Sequence, residues 1–235
     1  MSQLICVVGG KGAPGATTLA LAMALTCPEA VTLVDADPDG GDVAPLIGLP
    51  SSPGLVTLAA ASRHRFAGQE LETHTQSLSP RLRLVAAPPS PDQVGTALAG
   101  LGRLFAEYLA SGLTIVDAGR WRSDSPATDL VRSAATTVLV IHPTVAGVAH
   151  ARDQYEDLAG RCSDVVVACR GDRPYDPAEV AEAIGCGTAT VIPVDRVGAS
   201  MLSGAPKERW LRRTPLARSA RGLVDSLTQH SAVAS

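Results

Sequence analysis

Residues 9–18, Gly-Gly-Lys-Gly-Ala-Pro-Gly-Ala-Thr-Thr, combine small residues, hydroxyls and one cation in a way that suits an anionic phosphate. Glycines let the backbone close around an anion, and consecutive N–H groups at a helix N-terminus point at it. The spacing Gly10-x4-Gly15-x-Thr17 is that of a P-loop. Where a P-loop carries lysine stands Ala16, and a lysine occurs five residues earlier, at Lys11. Only Lys11 and Lys207 are lysines among 20 Lys and Arg residues, so a lysine inside this loop is a less casual choice than an arginine would be.

Carboxylates follow two apolar runs. Asp35, Asp37, Asp39 and Asp42 come directly after residues 31–34, interleaved with Pro38, Gly40 and Gly41, and Asp117 closes the run 113–116. Acids just past a buried strand suit magnesium or the orientation of water beside a phosphate. Each segment alone is equally an ordinary turn or a helix cap. Their occurrence together with the glycine loop favours the phosphate-and-metal reading. Three further strand ends, at His142-Pro143-Thr144, Cys169-Arg170-Gly171 and Ile192-Pro193-Val194-Asp195, are expected on the same rim. A base and ribose would lie there, against Arg170, Pro193 and Asp195.

The elements that must position these groups alternate. Short β-branched runs at 3–8, 31–34, 82–86, 113–117, 137–141, 164–168 and 189–192 predict strands. Several are continuously apolar, as strands covered on both faces are. Helices are expected at 17–26, 92–110, 126–134, 146–160, 177–184 and 215–228, so the class is α/β, a doubly wound, mostly parallel sheet of about seven strands. Residues 1–228 read as one domain with a tail at 229–235. The stretch 50–80, with Pro50, Pro53 and Arg63-His64-Arg65, reads as a surface excursion carrying one short helix.

Composition narrows the function classes. A net charge of −3 argues against nucleic-acid binding by the whole surface. The five cysteines lack Cys-x-x-Cys spacing, so neither a zinc site nor a disulfide framework is suggested, and the five histidines show no ligand spacing. No apolar stretch reaches the length of a membrane span and no signal segment is seen, so a cytoplasmic location is expected. The run from Lys207 through Arg209, Trp210, Arg212, Arg213 and Arg218 to Arg221 is a solvated helix face or a local contact for DNA, an anionic membrane or an acidic partner.

Taken together, these residues resemble the MinD/ParA group of P-loop ATPases, whose loop reads Lys-Gly-Gly-x-Gly-Lys-Thr-Thr. Lys11-Gly12-Ala13-Pro14-Gly15-Ala16-Thr17-Thr18 matches that frame without gaps, Asp35-Ala36-Asp37 the segment after the second strand, Asp117 the magnesium-associated acid, and Ile192-Pro193-Val194-Asp195 the group's Ile-Pro-x-Asp. Within the group the chain looks most like the CpaE/TadZ branch, which localises pilus-assembly machinery, through Gly41-Asp42-Val43-Ala44 and the Ala-Ala-Pro turn near residue 87.

The resemblance implies ATP or ADP with Mg2+ held by Gly10, Lys11, Gly12, Ala13, Gly15, Ala16, Thr17 and Thr18. Thr17, Asp37 and Asp117 would serve the metal, and Asp37 alternatively the attacking water. Lys11, at the group's signature lysine, would reach the nucleotide of a homodimer partner. The chain departs from the group at Ala16 and Ala13, at Cys169-Arg170, and at Ala118-Gly119-Arg120-Trp121 after Asp117. Losing one charge-assisted hydrogen bond costs about 1.5–3 kcal/mol, or about 10- to 150-fold in ATP affinity. Losing charge stabilisation in phosphoryl transfer costs about 10³-fold or more in rate. The expectation is therefore a nucleotide-dependent positioning or partitioning protein with weak or absent hydrolysis, peripheral to a membrane or pole and partnered within a localisation or assembly system. The alternatives are an active ParA-like ATPase on DNA or membrane and a nucleotide-free pseudo-ATPase scaffold.

Overall fold

A computed structural model describes residues 3–12, 14–62, 69–204 and 211–233. The seven expected apolar runs form β1 (Gln3–Gly9), β2 (Val31–Asp35), β4 (Leu82–Val85), β5 (Leu113–Arg120), β6 (Thr136–Ile141), β7 (Val165–Arg170) and β8 (Ala189–Ile192). An eighth strand, β3 (Gln76–Ser77), joins antiparallel to β4 at the sheet edge. Two polar residues carry no alternation, which is why pattern alone passes over it. The sheet order is β3-β4-β2-β5-β1-β6-β7-β8, parallel except at that edge.

The helices are α1 (Ala16–Thr26), α2 (Val43–Leu46), α3 (Leu55–Ala61), α4 (Gln69–Thr73), α5 (Pro91–Leu109), α6 (Thr128–Ser133), α7 (Val145–Ala159), α8 (Pro177–Ile184), α9 (Arg196–Ser200) and α10 (Pro215–Val233). The excursion near 50–80 thus carries two short helices, α3 and α4, rather than one. The last helix runs to Val233, past its expected end at 228.

β1 is buried along its whole length, and its side chains alternate between two apolar layers. Ile5 and Val7 face α1 and α10, while Leu4, Cys6 and Val8 face the layer containing α5 and α8. α1 is buried from Leu19 to Thr26, held between the sheet and α10. Leu19, Leu21 and Met23 are essentially inaccessible, each burial being worth about 1.5–3 kcal/mol. The start of α1 is therefore anchored by the core.

One irregularity in the ladder bears on the site. Val7 pairs with Asp117, but Gly9 pairs with Arg120, so β5 carries one extra residue against β1. On the other side of β5, Asp35 lies directly beside Asp117.

Candidate functional site

The carboxyl ends of β1, β2, β5, β6, β7 and β8 open into one cavity of about 640 Å³. β1 hands over to the glycine loop smoothly, because the Gly10 N–H still donates to the Val140 carbonyl, 2.8 Å away. Gly12 (φ 93°) and Gly15 (φ 96°) then take left-handed conformations that turn the chain back into α1. Gly15, the N-cap of α1, offers no side-chain cap, and no acid stands in the first turn. The first intrahelical acceptor taken in this turn is Gly15 O, by the Leu19 N–H at 2.9 Å. The N–H groups of Ala16, Thr17 and Thr18 precede it and have no intrahelical partner. All three residues line the cavity. Donors and the positive end of a helix dipole face open space there, an arrangement that accepts an anion.

Behind this cradle lies a buried pair of acids. Asp117 is inaccessible and accepts the Thr17 hydroxyl and, through Oδ1, the Gly119 N–H at 3.2 Å. Asp35, equally inaccessible, accepts the Val43 N–H through Oδ2 at 2.9 Å. Asp35 Oδ1 and Asp117 Oδ2 have no hydrogen-bond partner among the described residues. Burial, followed by the charge of neighbouring Asp37, pushes Asp117 up to about 7 against the opposing Thr17 hydrogen bond. Burial and then the Asp117 charge raise Asp35 well above the usual carboxylate range. Burial also raises Asp37, which borders the cavity and accepts the Asp39 N–H at 2.8 Å. The cation near Asp37 is Arg122, but it is ion-paired with Asp39 at 2.9 Å.

Mg2+ fits this setting. Among the described residues no three ligating side chains converge to hold a metal by themselves. Mg2+ does not need them, since it takes one or two carboxylates and fills its sphere with phosphate oxygens and water. Thr17 and Asp37 face the cavity, and Asp117 lies behind them against the Thr17 hydroxyl. The residue that makes room is Gly119, at φ 61°, where any Cβ would run into the Asp37 carboxylate. Its role was open to a reading of Asp117-Ala118-Gly119, a glycine two residues after an acid at a strand end, but the approach of Asp37 was not.

The opposite rim is built by Arg170, Ile192, Pro193 and Asp195, which line the cavity, whereas the third strand end expected there, His142-Pro143-Thr144, is not among the lining residues. Asp195 has a structural duty as well: it caps α9, accepting the Gly198 N–H at 2.8 Å, and its second oxygen accepts the Leu216 N–H of α10 at 3.1 Å. Gly10, Gly12, Gly15, Ala16, Thr17 and Thr18 are brought together on the cavity wall, whereas Lys11 is not among the lining residues. Lys11 is exposed, and its ammonium donates to His150 Nε2 on α7 at 3.0 Å. Ala13 and, in the basic run, Lys207, Arg209 and Trp210 lie outside the described residues. Arg212 and Arg213 are exposed just before α10, but Arg221 is ion-paired with Asp225 at 2.8 Å and its guanidinium also reaches the Thr26 carbonyl. Among the described residues of the run, Arg221 is therefore engaged within the fold while Arg212 and Arg213 are exposed.

No family model and no curated protein sequence matches the chain. Solved structures do match. A ParA family ATPase from Chlorobium tepidum TLS superposes with a TM-score of 0.79 at 20% identity, covering 95% of this chain and 99% of that one. The fold is that of the ParA and MinD ATPases. The cell division ATPase MinD of Pyrococcus furiosus gives a TM-score of 0.74 at 19% identity over 97% of this chain and 99% of that one. The septum site-determining protein MinD of Pyrococcus horikoshii OT3, solved with Mg-ADP, gives 0.76 at 17% identity over 100% and 99%. At these identities the likeness extends to architecture: an eight-stranded, mostly parallel sheet between helical layers. Among the described residues no helix is long and apolar enough to cross a membrane.

Proposed function

We propose that the chain belongs to the MinD/ParA group, binds ATP or ADP with Mg2+, and works as a positioning or partitioning protein whose hydrolysis is slow or absent. The observation that carries this reading is the uncapped start of α1, with left-handed Gly12 and Gly15, at the wall of a cavity into which Thr17 and Asp37 project. The amides of residues 16–18 with Gly10, Gly12, Ala13 and the Thr18 hydroxyl would hold the phosphates. Thr17 and Asp37 would hold the ion, with Asp117 orienting the Thr17 hydroxyl. When bound, Mg2+ supplies charge neutralisation on the phosphates and relieves the repulsion among Asp35, Asp37 and Asp117. Arg170, Pro193 and Asp195 would border the base and ribose.

Slow chemistry follows from Ala16, which brings no charge to the loop. Lys11, exposed and turned to α7 rather than into its own cavity, would exchange His150 for the nucleotide of a second copy across a dimer. Nucleotide would then switch the association state. Residues 1–228 act in this scheme as one unit in the cytoplasm. The CpaE/TadZ likeness suggests a localisation partner in pilus or secretion assembly, with Arg209, Arg212 and Arg213 as the contact to an anionic membrane or DNA. The first experiment is calorimetric titration with ATP-Mg and ADP-Mg, paired with sedimentation. Binding with a shift from monomer to dimer in ATP is expected; no binding at millimolar nucleotide would overturn the reading. A second reading, a nucleotide-free scaffold, draws on a cavity lining that contains no lysine among the described residues, and that same negative result is what it requires.

A further inference from the structure

The cavity that lacks a loop lysine is not without cations on its wall, since Arg120 and Arg170 both line it. They stand in different places. Arg170 ends β7, two strands away from β1, beside Ile192 and Pro193 on the far rim. Arg120 ends β5, immediately next to β1, and pairs in register with Gly9, the residue from which the glycine loop departs.

The side on which Arg120 falls is set by the extra residue in β5. Along that strand Leu113 and Ile115 pack into the layer of α1, and Val116 and Ala118 into the opposite layer. Strict alternation would send residue 120 after Val116 and Ala118, away from the loop. The bulge changes the parity. Trp121 joins the layer of Val116 and Ala118, fixed there by its Nε1–H to Asp157 at 3.0 Å, and Arg120 turns to the loop side and lines the cavity. Bulges beside sites commonly re-aim a side chain in this way.

Arg120 is also uncommitted. Its neighbour Arg122 is ion-paired with Asp39 at 2.9 Å and lies within 3.9 Å of Asp124, whereas the guanidinium of Arg120 forms no ion pair or side-chain hydrogen bond among the described residues. An exposed arginine on the same cavity wall as the start of α1, with five donors and a planar fork, is suited to bidentate contact with phosphate oxygens.

We propose that Arg120 is the phosphate-binding cation of this site, delivered by the β5 bulge from the neighbouring strand in place of the lysine that Ala16 lacks. The inference rests on the nucleotide reading above and adds a specific residue to it. Arg120 contacts the terminal phosphates of ATP or ADP, so its contribution grows with the number of phosphates and is absent for AMP.

The test measures ATP-Mg, ADP-Mg and AMP affinities by calorimetry for wild type and for Arg120→Ala, Arg120→Gln, Arg120→Lys and Arg122→Ala, each checked for an unchanged thermal midpoint. Arg120→Ala and Arg120→Gln are expected to weaken ATP-Mg by about 10- to 150-fold, the value of one charge-assisted contact, while AMP binding stays as in wild type. Arg120→Lys retains part of the affinity, and Arg122→Ala has the smaller effect. Adding Ala16→Lys to Arg120→Ala restores ATP binding by returning a cation to the loop. Wild type that binds ATP-Mg while Arg120→Ala and Arg120→Gln bind equally well overturns the role of Arg120 alone. So does an equal loss for AMP and ATP, which would mark a structural residue. Wild type that binds no nucleotide overturns the nucleotide reading, and the Arg120 role with it.

Discussion

Two helix starts in this molecule meet the same problem in opposite ways. α8 begins at Asp176, whose Oδ1 accepts the N–H groups of Ala178 and Glu179, both at 2.9 Å. Glu179 Oε2 in turn accepts the Asp176 N–H at 2.9 Å, and Pro177 has no N–H to satisfy. α1 begins at a left-handed glycine with no cap and no acid. The first end is closed by its own sequence. The second is open, and the burial of α1 from Leu19 to Thr26 holds the helix in place without a cap. Open donors at α1 are matched by open acceptors nearby, the unpartnered oxygens of Asp35 and Asp117. At α8 the sequence satisfies its own helix end, whereas the donors and acceptors left open around α1 are the groups that the proposed nucleotide site would use.

The largest expected consequence concerns the open end's acids. Asp117 is raised from 3.8 to about 7 by burial, opposed by Thr17 and reinforced by Asp37. A carboxyl raised on folding binds more protons in the folded state, so its contribution is fully present below about pH 4 and is lost as pH rises through about 7. Stability of the ligand-free chain therefore falls between those values, by at most on the order of 4 kcal/mol from this group. Chemical denaturation across pH 4–8 checks this. Asp117→Asn flattens the slope, and adding Asp35→Asn flattens it further, whereas a slope unchanged in both would refute the assignment.

Next comes the glycine that seats Asp37. Gly119→Val combines a positive φ with a clash against the Asp37 carboxylate, and a loss of about 2–4 kcal/mol with impaired nucleotide binding is expected. Gly185, at the far end of α8, also has a positive φ but open space around its missing Cβ, so Gly185→Ala costs only about 1–2 kcal/mol and leaves binding unchanged. Urea titration of the two variants side by side separates conformational strain from disruption of the site. The smallest effect is at the closed end. Asp176→Ala removes a cap and costs about 1 kcal/mol of stability with nucleotide affinity as in wild type. An affinity change on that substitution would blur the distinction between the two ends.

Much of this was legible in the sequence because it rests on local pattern. Continuous apolar runs placed seven strands within a few residues, and the glycine spacing placed the cradle. What was not legible depends on pairing between distant segments. Asp35 reads as one acid in a turn-rich stretch, and becomes half of a buried pair only when β2 lies against β5. The bulge is invisible in Asp117-Ala118-Gly119-Arg120, since an extra residue exists only relative to a neighbouring strand. Lys11 reads as a member of the loop, yet its contact is His150, 139 residues away. The two-residue β3 carries too little hydrophobic signal to register at all.

The burial of α1 has a consequence for how such a loop evolves. Because Leu19, Leu21 and Met23 fix the helix from behind, and Ala16 is itself packed at the edge of the core, the shape of the cradle is set by the fold. A larger side chain at position 16 has room only toward the cavity, so that position answers to packing as well as to whatever the cavity holds. A chain built this way can change the charges around its cavity while its architecture stays intact, and under the proposal for Arg120 can draw a cation from a neighbouring strand without rebuilding the loop.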